Sequence, residues 1–358
     1  MDIVTHGLAS IAVARGFFPR AGKATMASAV LAGTIANIDW FSSYFGPSAY
    51  LAWHGTYTHS IFAAVLISLL ILAVSGATIL RKGLFILLPA PEAEANREAR
   101  DAARNRALRT LFWTAFAAPL CAALLHIGMD ACQSNGVALF WPFSSRRFAA
   151  DWLPSVDPWI LTMLIVCIAM PELLRLVSSE IGAKEKKPRG QTGALIGLSL
   201  VLVYVGVRAT LHSNVVALME SRTFHGETPR RVSAFPESLS ILTWQGVVET
   251  ESVLNEIEVS AFAPDAFDAD SSVRLFKPDT SPALDSARNT VVARRFLSIA
   301  QIPKASLEKT ETGSVVVLRD LRYAAAGETQ HEIAAVIELD LSNKVTSQEL
   351  VWARDLRR

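Results

Sequence analysis

The sequence predicts an α-helical membrane bundle, about five transmembrane helices plus a short N-terminal helix, followed by a small α+β domain outside the membrane. Three observations carry that reading. The chain has 358 residues, 51% of them hydrophobic and only 19% charged, too apolar for a disordered protein. Residues 1–229 hold 19 Lys and Arg against 14 Asp and Glu, whereas residues 230–358 hold 15 against 19. Apolar runs near the 20 residues that a bilayer requires are confined to the first part. The division gives a helical membrane domain at 1–225 and a soluble domain at 226–358. A net charge of +1 excludes nucleic-acid binding by bulk electrostatics.

Taken in order, residues 5–18 are apolar but short, so they should tuck against neighbouring helices. No basic segment precedes them, so they do not read as a cleaved signal peptide. Residues 24–45 form a second span, weakened by Asn37 and Asp39. Residues 59–80, 109–130, 158–177 and 193–215 are clearer spans. One set of connections, around residues 15–23, 81–109 and 175–189, carries fifteen Lys and Arg, and the alternate set carries only Arg146 and Arg147. By the positive-inside rule the first set is cytoplasmic and the last span runs outward. The expected location is a bacterial inner membrane, with the C-terminal domain periplasmic. The segment 89–108 reads as a solvated cytoplasmic helix.

Beyond a linker at 226–236, strand-like stretches fall at 238–243, 256–262, 315–320, 332–340 and 346–351. Residues 282–302 are more helix-like. These elements suit an antiparallel sheet with helices, a surface on which a protein partner could dock. The three cysteines, Cys121, Cys132 and Cys167, lie in or beside the spans and read as buried, inert thiols.

Ionisable residues inside membrane helices are costly and usually functional. With the orientation above, His6, Asp39, His54, His59, His126 and Asp130 all fall toward the outer face. His126 and Asp130 are i and i+4, on one side of a helix. Imidazole and carboxylate suit zinc and similar divalent ions, so these six are candidate metal ligands. Asp39, Asp130 and His54 are the candidates for catalytic roles, and His54 could instead act on substrate or support a ligand. Asn37 reads as a helix-packing residue. Arg208 and His212, four apart in the outer half of the last span, are candidates for binding a phosphate, with snorkelling to headgroups the alternative for Arg208.

The same residues carry a family resemblance. Thr5-His6-Gly7, Ile35-Ala36-Asn37-Ile38-Asp39, His54-x4-His59-Ser60, His126-x3-Asp130 and the later Gly136…Trp141-Pro142-Phe143 resemble the YdjM/YbcI-like membrane-bound metal-dependent hydrolases. Ala36-Asn37 replaces the family's usual Pro-Asp, and Gly55-Thr56 replaces its Arg-Gly. Asp320-Leu321-Arg322-Tyr323 resembles an element of members with an exported tail. A more distant similarity is to zinc-dependent phospholipases C. The resemblance implies a divalent-metal hydrolase acting on a lipid or lipid-linked phosphoester at the outer membrane surface. The rival expectation is a non-catalytic scaffold or transporter with a structural metal.

Overall fold

The computed structural model describes residues 1–19, 22–83, 112–180, 190–262, 267–325 and 332–357, with a few positions between 102 and 110. The charged segment 89–108 and His331 lie outside this set, the former apart from three of its positions. Helix α1 (Ile3–Phe17) opens on Asp2, whose carboxylate accepts from the Val4 and Thr5 amides, an N-cap that satisfies orphan donors. Helix α2 is Lys23–Thr34. A 3-10 helix, Ile35–Phe45, follows and ends at Gly46, whose φ of +94° leads into α3 (Pro47–Trp53). Helix α4 is Ile61–Gly83. A π-helical segment, Trp113–Ala117, runs into α5 (Ala118–Ala131). Asp157 caps α6 (Pro158–Glu180) through the Trp159 and Ile160 amides, and α7 is Gln191–Glu220.

Alanine makes the close helix contacts. Ala14, Ala29, Ala118 and Ala122 form one buried cluster, and Ala9 and Ala12 join Ile160, Leu164 and Ala194 in another. Small side chains let backbones approach where lipid offers no hydrophobic driving force between helices.

The C-terminal region contains two four-stranded antiparallel sheets. The first has strand order β1 (Arg231–Pro236), β2 (Thr243–Glu249), β3 (Val253–Ser260), β4 (Val273–Phe276). It packs on the last turns of α7, where Leu211, Val215 and Met219 meet Trp244, Val248 and Ile257. The second runs β5 (Pro303–Thr310), β6 (Gly313–Asp320), β7 (Ile333–Asp340), β8 (Val345–Trp352). Helices α8 (Pro282–Arg288) and α9 (Val291–Leu297) cover it, and Tyr50 and Leu51 of α3 join the same core. Helix α10 (Leu321–Ala325) follows β6.

This architecture corrects the expected five-span bundle. Among the described residues, two helices are long and apolar enough to cross a membrane, Trp113–Ala131 and Gln191–Glu220. Ile3–Phe17, Ile61–Ala77 and Pro158–Leu173 are apolar but shorter. The predicted span at 24–45 breaks at Ile35, because the following 3-10 turns carry Asp39 inward to hydrogen-bond the loop at 54–58. The span expected from 59 starts only at Ile61, since His59 and Ser60 remain in a turn. The single small sheet is likewise replaced by two. Strand β1 occupies most of the expected linker, 238–243 is largely turn, and the helix-like 282–302 divides into α8 and α9.

Candidate metal centre

Three segments meet at Asp130. His6 comes from the first turns of α1, and His126 stands one turn before Asp130 on α5. His59 closes the turn ahead of α4. His6 Nε2 lies 3.1 Å from Asp130 Oδ1, and the Nε2 atoms of His59 and His126 lie 3.2 and 3.1 Å from Oδ2. The His6 and His126 rings stack with centroids 3.7 Å apart, and the His59 ring is 5.0 Å from that of His126. His6, His126 and Asp130 each present one ligand atom within 4.8 Å of the others. Asp130 also accepts from the Met1 amino group, which reaches Gln133 as well.

Hydrogen bonds fix which nitrogen of each ring faces the cluster. His126 Nδ1 is 2.7 Å from the Gly33 carbonyl oxygen, so it carries the proton and Nε2 keeps its lone pair. That Nε2 is buried and makes no hydrogen bond, despite its nearness to Asp130. His6 Nδ1 is also buried without a hydrogen bond. His59 Nδ1 lies 2.9 Å from Asp39 Oδ2, which turns its Nε2 toward Asp130. Imidazoles held through one nitrogen by a carbonyl or carboxylate, with the other left open, have the form of supported metal ligands. The donor set fits a divalent ion of the zinc type.

Asp39 serves the cluster from one layer out. Its Oδ2 accepts from the Gly55 amide at 2.8 Å and from the Thr58 hydroxyl at 3.1 Å, while His54 Nδ1 is 3.2 Å from Oδ1. Gly55 has a φ of +68°, a conformation open to glycine that lets its amide reach Asp39. Burial opposes charge on Asp39, but the hydrogen bonds from His54 and His59 outweigh it and hold the carboxyl well below its usual range. Burial likewise opposes charge on His59, whereas hydrogen bonds to Asp130 and Asp39 raise it to about 9.

A cavity of about 830 Å³ opens over the cluster, and His54, His59, Asp130 and Gln133 line it. Trp40 and Phe41 of the 3-10 helix form one wall and Tyr323 of α10 another. Asn37 also lines it, with its Nδ2 buried and unbonded, so the residue read as helix packing faces the site. Nothing in the spacing marked Tyr323 or Gln133. The Asp-x-Arg-Tyr element was the one signal for the former.

The structure brings His6, His59, His126 and Asp130 together and sets Asp39 and His54 beside them. It does not bring Arg208 and His212 to the cavity. Arg208 is fully buried and donates to the carbonyls of Trp152, Ser240 and Ile241, with its guanidinium 4.3 Å from the Trp244 ring. His212 packs edge-on against the same Trp244. Both residues tie α7 to the loop and the first sheet, because the backbone carbonyls there need donors. Cys121 is exposed rather than buried, and Cys132 and Cys167 are half-buried.

The family model of the YdjM inner membrane protein matches residues 1–215, well over half the chain. The chain belongs to that family. As a YdjM inner membrane protein it is a membrane protein, consistent with its two helices of spanning length. The match includes His6, His59, His126 and Asp130 and ends before the first sheet. No curated protein and no solved structure matches the chain, and the more distant likeness to zinc-dependent phospholipases C gains no support.

Proposed function

We propose that the chain is a divalent-metal-dependent hydrolase, with zinc the expected ion, that cleaves a phosphoester of a lipid or lipid-linked substrate at the outer surface of the inner membrane. The carrying observation is His126, whose Nδ1 is committed to the Gly33 carbonyl while its buried Nε2 makes no hydrogen bond beside His6, His59 and Asp130. An ion held there would supply Lewis acidity and lower the pKa of a water ligand toward about 7. The chain's own residues do the rest. His6, His59 and His126 present nitrogen donors, and Asp130 presents both carboxylate oxygens. Asp39 fixes the His59 ring and orients His54, which reaches the cavity and is placed to exchange a proton with substrate. The Asn37 amide is a donor available to a substrate oxygen.

The membrane side of the reading rests on charge. The first basic connection leaves α1 at Arg15, which meets Glu172 and lies against Gly190, at the end of α1 away from His6. Assigning that end to the cytoplasm turns the cavity and both sheets outward. Exposed Phe41, Tyr44 and Phe45 beside the cavity then sit at headgroup level, where aromatic rings are favoured. A scaffold with a structural ion would close its coordination shell, whereas His59 and Asp130 face an open cavity.

The test is metal analysis of the purified full chain together with phosphoester hydrolysis in mixed micelles. Wild type should carry stoichiometric divalent metal and turn over, and His126→Ala should lose about nine-tenths of both. Stoichiometric metal retained in His126→Ala would refute the assignment.

A further inference from the structure

A second cavity, of about 410 Å³, lies between the loop that follows α5 and the second sheet's end of the C-terminal region. Arg146 and Arg147 reach it from the loop and Arg322 from α10, and Ser144, Ser145 and Ser298 add hydroxyls. No carboxylate lines it among the described residues. Arg146 and Arg147 make no ion pair within 4 Å among those residues. The Arg146 guanidinium lies 5.7 Å from the Phe148 ring.

The other two arginines are held in place. Arg147 donates through Nη2 to the His54 carbonyl at 2.6 Å and to Thr56 Oγ1 at 3.1 Å. Arg322 donates through Nη1 to the Ser134 carbonyl at 2.9 Å, and its Nη2 lies 3.4 Å from Asp320 Oδ2. Asp320 is already engaged by the Gln301, Ile302 and Arg322 amides, and neither it nor Asp151, whose carboxyl also feels Arg322, lines the cavity. Like-charged groups converging on a cavity that no carboxylate lines among the described residues repel one another, and a bound anion relieves that repulsion. Planar guanidinium forks match tetrahedral oxyanions. The sequence agrees from another direction, since Arg146 and Arg147 are the two basic residues that break the charge bias of the outer connections.

We infer that this arginine cavity binds a phosphate-type anion, either free phosphate or the phosphoryl group of an anionic headgroup. It adjoins the cavity over the metal cluster: Asn135 lines both, and Arg147 is anchored to the carbonyl of His54, which lines the first. A substrate with two anionic groups can therefore span from one to the other. The bridging rests on the hydrolase reading, and anion binding does not.

Pyrophosphate is titrated into the full chain in neutral nanodiscs, in EDTA and at 150 mM salt, which screens unspecific attraction. Saturable binding at one site is expected. Arg146→Gln, at an exposed position, should weaken it about tenfold or more, and Arg146→Glu should abolish it. His126→Ala should bind pyrophosphate as wild type does, which separates this site from the metal cluster. Competition from phosphatidylglycerol nanodiscs in wild type would assign the anion to a headgroup, and its absence would assign a soluble phosphate. No saturable binding at millimolar pyrophosphate, or binding unchanged in both Arg146 variants, overturns the inference.

Discussion

Asp151 sits in the left-handed region at φ +58° with Oδ1 buried and unbonded. Burial pushes its carboxyl up to about 6, with Arg322 opposing that shift. Between about pH 4 and pH 6 the folded chain therefore binds more protons at this site than the unfolded chain, and stability falls as pH rises through that window. Asparagine tolerates the same backbone and carries no charge. Asp151→Asn should raise the thermal midpoint at pH 7, with little change at pH 4. Equal midpoint shifts at both pH values would contradict this. The six metal-capable residues were legible because His and Asp are seldom retained in apolar helices without use. Their ranking was not. Asp39 has the spacing of a ligand, yet its carboxylate is engaged by the Gly55 amide, the Thr58 hydroxyl and two imidazoles, and no sequence spacing announces which donors will reach a carboxylate.

At the scale of elements, the junction of α2 with the 3-10 helix holds the site together. Gly33 is the last residue but one of α2, and its carbonyl fixes the His126 ring. A Cβ at Gly33 would collide with Ser10 Oγ and come within 3.1 Å of Ser10 Cβ and 3.4 Å of Ala122 Cβ. Ser10 donates to the His6 carbonyl, so the same crowding reaches the backbone of a second ring. Gly33→Ala should cost about 1–3 kcal/mol and lower metal occupancy. Adding Ser10→Ala should recover part of both, as read by thermal unfolding and metal analysis. Full occupancy in Gly33→Ala would show that His126 does not depend on this junction. Hydropathy could not show the break, because 24–34 and 35–45 are similarly apolar and only the inward pull on Asp39 separates them. Strands β3, β6, β7 and β8 were legible from alternation, whereas β5 begins at a proline and is largely exposed, which blurs the pattern.

On the scale of the whole molecule, α7 joins the membrane region to the sheets, and Arg208 is the fastening. The sequence presented it as an arginine near the outer end of a span, a position that invites a substrate role. Its three carbonyl partners, on the loop at 152 and the turn at 240–241, are brought together only by the tertiary fold. Trp244 packs over the guanidinium and Met219 fills the space above Gly246, so the first sheet is seated on the last turns of the helix. Replacing Arg208 with leucine leaves those carbonyls without their donor, at a cost of about 2–4 kcal/mol for buried acceptors. The loss falls on the contact between sheet and helix, whereas His6, His59, His126 and Asp130 keep all their partners. Arg208→Leu should therefore speed limited proteolysis within 220–262 about tenfold or more while metal content stays at the wild-type level. Unchanged proteolysis would mean that the apolar contacts of Val215, Met219 and Trp244 seat the sheet without the arginine.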